Sequence, residues 1–554
     1  MKKNVLNKLF ATILAGAMVV GTLAGCGSAP AAEEAPAAEA AEAVAEEAEV
    51  EPVEVSAEAG IDGWTAFDEE VTLKVAVYDR GAEGIDPVTE NGYTEYVQAN
   101  FGDTYNVKFE VVPITRSDVI TNYALHAAAD DLPTILMEYD YPKVVQWAND
   151  GYLQTIDLAD FAEVAPTYYN RMVELGQLNY TDVNGDTYFC LAERPYYNTT
   201  YTFVTMVRMD WLKEVGYDHV PASYEEYIDA MTKIKEAGIC ENPIPGGDGL
   251  GAMITASATC DTAGWSFRDY PIDATDWAKY SSLSCPALPY KATEKMLKRY
   301  NAEYNAGLWN PEYSITDTET AKANFINGKQ FSYGGYMTTT CDWLDSFYAA
   351  NPDAELAIAS NYSSVEPGVI DFPQMRSDNP YGMTIGFGKD ATEDQLKAAW
   401  MYMEWATLNI KELQAHADDW NNFNNSKDFW CVTIESVKKD TIEESIATIA
   451  PQGLPKDFSE EMIANYNQLK EIADAGHAYT DPAFSVAIEA ESEYAESLLS
   501  LYVVDFDKLV TCPVDEFDEL YAVLSQEYLD AGYQEVIDER AEAYENGNST
   551  KLPF

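Results

Sequence analysis

The chain has 554 residues, with 94 acidic against 34 basic side chains and a formal charge of −60 at pH 7. A field of that sign repels phosphate backbones and anionic headgroups, which argues against nucleic acid as a partner. With 47% hydrophobic residues the chain can bury substantial cores, and its length calls for two or three lobes rather than one.

Lys2, Lys3 and Lys8 precede an apolar run from Leu9 to Leu23, too short to span a membrane and followed by polar sequence. The run ends in Leu23-Ala24-Gly25-Cys26, which resembles the lipobox of bacterial lipoproteins. That resemblance implies removal of residues 1–25 and acylation of Cys26, palmitate included, on the extracytoplasmic face of the cell membrane. Each buried CH₂ adds about 0.8 kcal/mol to such an anchor. Loss of residues 1–25 removes three lysines and no acid, leaving a charge of −63. From Gly27 to Gly60 the chain is rich in Ala, Glu and Pro and has no Lys, Arg or aromatic residue. It reads as a solvated tether (residues 26–60 with the cysteine) that reaches about 110 Å when stretched, at about 3.3 Å per residue.

The body opens with a strand over Val71–Val77, followed by a loop carrying Asp79 and Arg80. A helix around Thr89–Phe101, a strand at Asn106–Val112, a helix at Ser117–Ala129 and a strand at Pro133–Met137 follow, and Glu138–Pro142 opens another helix. Strands alternating with helices imply a parallel sheet, whose ligand crevice lies at the C-terminal ends of the strands. Asn184-Gly185 reads as a hairpin turn; a calcium loop there would need Gly where Thr187 stands.

Thr202–Arg208 reads as a strand, with Asp210 as cap of a short helix, Trp211–Val215. Ser223-Tyr224-Glu225-Glu226 is a capping box, opening a helix that stops at Gly238. Further on come a helix over Thr293–Asn305 and strands at Phe331–Tyr333 and Tyr381–Gly388. A helix from Thr392 to Leu408 and three terminal helices from about Pro482 complete the pattern. Residues 410–455 give no clear reading.

Seven cysteines besides Cys26 (Cys190, Cys240, Cys260, Cys285, Cys341, Cys431 and Cys512) are widely spaced without C-x-x-C. Buried free thiols are the reading, with one disulfide left open. Four isolated histidines give no metal spacing, so neither a zinc site, a histidine triad nor a cofactor is expected.

Several of these segments resemble the extracellular solute-binding proteins, family 1, that serve sugar ABC importers. They are Val207-Arg208, Asp210-Trp211-Leu212, and Pro221, Ser223, Glu225 and Glu226 at the strand–helix–helix unit. Ala127–Ile135 and Gly151-Tyr152-Leu153 match in the first half, although Thr134 stands where the family usually has Asp. Asn184–Tyr188, Gly307-Leu308, Ala323–Lys329 with Gly334-Gly335-Tyr336, Ala399–Trp405 and Gly532–Ile537 continue the order, so the resemblance spans residues 71–545.

The resemblance implies an α/β, two-lobed periplasmic-binding-protein-like fold of class II, each lobe a sheet flanked by helices. The expected division is 61–198 with 380–450 for lobe one and 199–379 with 451–554 for lobe two, joined by a hinge near Pro195 and Tyr197. It implies a non-enzymatic, monomeric carrier that closes on a carbohydrate, with an oligosaccharide the expected kind, and hands it to an ABC permease. A surface glycoside hydrolase and a ligand-presenting sensor module are the alternatives.

A sugar site needs flat aromatics for the ring face and carboxylates, amides or Arg for the hydroxyls. Position at strand ends nominates Asp79, Arg80, Glu138, Tyr139, Asp140, Tyr141, Trp265, Tyr336 and Trp343. In sugar-binding members the aromatic at the place of Tyr336 commonly stacks on the ligand. Each has a plain alternative: Trp265 and Trp343 as core or interlobe aromatics, Asp79 and Arg80 as partners of one another. Nine arginines in so negative a field make capture of a free anion a poor prospect; a neutral oligosaccharide is indifferent to that field, a cation would be favoured by it, and a peptide stays open.

Overall fold

A computed structural model describes residues 52–53, 59–81, 86–192, 203–221, 223–245, 274–282, 284–359, 375–376, 379, 381–415 and 478–551. The strands are β1 (Val71–Asp79), β2 (Val107–Thr115), β3 (Ile135–Glu138), β4 (Asp182–Val183), β5 (Asp186–Thr187), β6 (Phe189–Leu191), β7 (Phe203–Arg208), β8 (Ser332–Tyr336), β9 (Leu356–Ala359), β10 (Met375–Arg376), β11 (Thr384–Phe387) and β12 (Ala478–Tyr479). The helices used below are α1 (Val119–Ala128), α2 (Tyr141–Asn149), α3 (Met209–Glu214), α4 (Tyr224–Glu236), α5 (Lys291–Asn305), α6 (Glu393–Leu408), α7 (Glu489–Thr511), α8 (Phe517–Tyr528) and α9 (Gln534–Glu545).

The first core is built on a sheet of order β2-β1-β3-β11-β6. β1 is parallel to β2 and β3, as the strand–helix alternation predicts, while β11 runs antiparallel to both β3 and β6. β3 and β11 are buried along their whole length, the signature of central strands covered on both faces. α6 packs on β1; its Thr392–Gln395 capping box is formed, and Gln395 Nε2 also donates to Thr72 O at 3.1 Å. The Asn184-Gly185 turn joins β4 to β5 with φ of 54° and 90°, the left-handed pair that a tight hairpin requires.

A second core gathers residues of the 207–359 stretch with the terminal helices α7, α8 and α9. Its sheet has β7 in the middle, antiparallel to β8 and β9. α4 starts as its sequence requires: Ser223 accepts the Glu226 N–H, and Tyr227, Met231 and Ile234 are buried. The helix before it departs from expectation. α3 begins at Met209, Arg208 occupies the N-cap without a side-chain cap bond, and the Asp210 carboxylate is held by Arg208 at 2.9 and 2.6 Å. Arg208 is itself stacked on Trp211, and a charge-assisted, two-pronged bond outcompetes a single backbone cap.

α5 lies along α7, and Asn301 Nδ2 donates to the carbonyls of Leu509, Val510 and Cys512, satisfying the end of that helix. α8 turns into α9 through Gly532, at φ 118°, where the backbone lies against the Tyr494 ring. Cys190, Cys240 and Cys285 are buried free thiols and Cys512 is a half-buried one. Among the described residues no helix is long and apolar enough to cross a membrane.

Candidate functional site

The three parallel strands deliver their C-terminal ends to one crest. β1 ends in Tyr78 and Asp79, β2 runs directly into Arg116, and β3 ends in Glu138 before Tyr139 and Asp140. Parallel strands place such ends on the same edge of the sheet, where open α/β sheets bind ligands.

Glu138 is 5% exposed and holds the crest together. Its Oε1 accepts the backbone N–H of Tyr139 at 2.8 Å and of Asp140 at 3.1 Å, and its Oε2 accepts the Tyr78 hydroxyl at 2.9 Å. Burial, with the Glu138 charge after it, pushes the Tyr78 phenol far above its ordinary range, so it stays a donor. Tyr123 brackets β3 from below, donating to Met137 O and accepting Met137 N, each at 3.1 Å. Three of the carboxylate's roughly four acceptor sites are thus used within the crest, one by Tyr78 and two by the loop, whose course they brace.

What that loop presents is Tyr139 and Asp140. Tyr139 is 37% exposed, with its ring 6.1 Å from that of Tyr78. The Arg116 guanidinium lies over both rings, 5.0 Å from the Tyr78 centroid and 6.0 Å from that of Tyr139. Asp140 caps α2 through Lys143 N. It keeps solvent contact, yet protein surrounds it closely enough that loss of bulk water pushes its carboxyl up to about 6, with the Glu138 charge next and Glu491 also contributing. Glu491 belongs to α7 in the second core, so the two cores approach one another at this edge.

The cores also touch directly. Asn149 Nδ2 on α2 donates to Glu489 Oε1 at the start of α7 at 2.9 Å, and Ser492 Oγ on α7 lies 3.2 Å from Gln146 Oε1. Just beyond Glu491, a buried network fixes this part of the second core: Arg540 Nη1 donates to Glu491 Oε2 at 2.8 Å and Arg540 Nε to Ala278 O at 2.9 Å.

The other nominated residues divide. Asp79 folds back to accept Gly81 N at 2.9 Å, and Arg80 is exposed beside it at the end of β1. Tyr141 points away from the crest: it is buried, donates to Tyr180 O at 3.1 Å and packs on Tyr381 at 5.1 Å. Trp343 is 5% exposed inside an aromatic cluster with Phe325, Tyr333 and Phe347, the position that its core alternative describes. Tyr336 ends β8, paired with Phe203. Trp265, Cys26, Pro195 and Tyr197 lie outside the described residues. Tyr78 and Arg116 were not among the nominated residues, although both meet the strand-end criterion that selected the others.

Solved structures of two-lobed α/β solute-binding proteins share the fold of this chain. A human-milk-oligosaccharide (HMO) binding, ABC-transporter-associated solute-binding protein from Bifidobacterium longum infantis ATCC 15697 has a TM-score of 0.56 and 12% identity, covering 87% of this chain and 100% of its own. An extracellular solute-binding protein from Bifidobacterium longum subsp. infantis gives 0.56 and 12%, over 88% and 100% of the two chains. The alginate-binding protein AlgQ2 without calcium ion gives 0.53 and 14%, over 87% and 99%. Identities this low speak for the fold, which is the one the sequence resemblance implies. No family model matches the sequence, and no curated protein does.

Proposed function

We propose that this chain is the substrate-binding lipoprotein of an ABC importer, anchored through acyl chains on Cys26, that takes an oligosaccharide between its lobes and delivers it to a permease. One observation carries the reading: an exposed Tyr139 ring and the Asp140 carboxyl stand together on a crest braced by Glu138. Ring and carboxyl are the two chemistries a pyranose asks for. The HMO-binding and alginate-binding proteins of similar fold support the same reading. Asp79 and Arg80 are the neighbouring polar contacts in this reading, Tyr336 and Trp265 the contributions expected from beyond the crest, and Glu138 and Tyr141 its scaffold.

The mechanism is closure. A ligand bridging both lobes favours the closed form only by its differential affinity for the two states, and that form is what a permease would recognise. A thermal-shift screen against mono- and oligosaccharides tests it: a ligand at 100 times its Kd adds about 2.7 kcal/mol of stability. Small-angle scattering should then record a smaller radius of gyration. Turnover of the bound sugar, lost on changing a crest carboxylate, would favour the hydrolase alternative instead. Cys26→Ala should release the protein from membranes into the soluble fraction; unchanged membrane retention would remove the lipid anchor from the reading.

A further inference from the structure

Arg116 opens the turn that follows β2, half-buried, with its guanidinium over the faces of Tyr78 and Tyr139. Lying over an aromatic face uses none of the group's five N–H donors. Among the described residues the Arg116 guanidinium makes no hydrogen bond and no ion pair. The contrast with other arginines is direct: Arg171 sits on Glu174 at 3.0 Å, Arg208 on Asp210 at 2.6 Å and Arg540 on Glu491 at 2.8 Å. The crest carboxylates are engaged elsewhere: Glu138 accepts Tyr78 and two backbone N–H groups, Asp79 accepts Gly81 N and Asp140 accepts Lys143 N.

We infer that Arg116 is the specificity-determining contact of the crest, its planar fork reading two adjacent oxygens of a pyranose whose apolar face rests on Tyr139. This rests on the carbohydrate reading above. A fork of parallel N–H groups matches two oxygens held side by side, which a ring offers either as vicinal hydroxyls or as a carboxylate. The chain's field of −60 opposes the carboxylate, so the vicinal hydroxyls of a neutral sugar are the assigned source.

The test uses the full chain against neutral malto-, cello-, xylo- and chito-oligosaccharides and against oligogalacturonate. Affinities are measured by calorimetry for wild type, Arg116→Gln, Arg116→Lys and the remote charge control Arg171→Gln. A neutral oligosaccharide should bind wild type and the control alike, and Arg116→Gln roughly tenfold or more weakly, with its unliganded melting temperature unchanged. Arg116→Lys keeps the charge and most of the stem but not the fork, and should stay weak; should Arg116→Gln fold poorly, the lysine variant carries the comparison. Equal binding by wild type and Arg116→Gln overturns the role of Arg116 while leaving the carbohydrate reading intact, and full binding by Arg116→Lys overturns the fork. Oligogalacturonate as the tightest ligand overturns the assigned source. A panel that stabilises none of the proteins overturns the carbohydrate reading and this inference with it.

Discussion

Glu303 is a carboxyl sealed into the second core, 4% exposed and accepting Trp309 Nε1 at 2.7 Å. Loss of water pushes it up to about 7, against opposing hydrogen bonds from Trp309 and Tyr224 and the nearby Arg299 charge. Unfolded, the same group titrates near its ordinary 4.5. The folded state therefore keeps this proton to higher pH than the unfolded chain does. The contribution is full below about 4.5 and is lost as pH rises through about 7, on the order of 3 kcal/mol in all. Glu303→Gln removes the titration, so its melting temperature relative to wild type should climb between about pH 5 and pH 8. A difference that stays constant across that window would show that ionisation there costs nothing. At this scale the sequence supplied residue types and strand ends but not partners. The expected second strand stops at Val112, which leaves Arg116 away from its end. In the fold β2 is an edge strand, where the missing N–H of Pro113 is tolerated, and pairing runs on to Thr115. Glu138 was nominated for its charge, yet its bonds to Tyr78 and the loop depend on neighbours that one sequence cannot display.

Caps and glycines made the elements legible. Ser223 and Thr392 start helices where their spacing says they should, and the return strand lies inside its expected bounds, whereas the first terminal helix starts at Glu489 rather than near Pro482. The failure at Asp210 came from a competitor two residues away, since Arg208 claims its carboxylate first. Sheet order was only half legible: alternation predicts the parallel trio, but nothing local says that β11 and β6 complete the sheet antiparallel. Gly532 offers the sharpest element-scale prediction. Its φ of 118° disfavours any side chain, and a Cβ there would lie 2.5 Å from the Tyr494 ring. Gly532→Ala should therefore cost about 2 kcal/mol or more by breaking the α8–α9 corner, measured as a lowered midpoint in urea. A midpoint equal to that of wild type would mean the corner relaxes freely.

At the scale of the whole molecule, the contacts between α2 and α7 are polar: Asn149 with Glu489 and Gln146 with Ser492. Water can replace each of them, so their loss should cost little stability, about 1 kcal/mol or less apiece. Asn149→Ala combined with Gln146→Ala should leave the melting temperature nearly unchanged but enlarge the unliganded radius of gyration. An unaltered scattering curve would mean that these pairs do not restrain the lobes. The body's class was readable from motif order along residues 71–545, whereas this seam joins positions 340 and more residues apart and was not.

The buried thiols turn this architecture into a pair of internal clocks. Cys190 lies in the first core and Cys285 in the second, both without exposed surface. Burial pushes the Cys190 thiol well up and that of Cys285 up to about 12, so neither offers thiolate to an alkylating reagent in the native state. Reaction then waits on opening of the core that holds each thiol. In a variant keeping only these two cysteines, pulsed iodoacetamide followed by mass spectrometry would time the two cores separately. One shared rate marks a single cooperative unit; a sugar that slows only one identifies the lobe it grips harder.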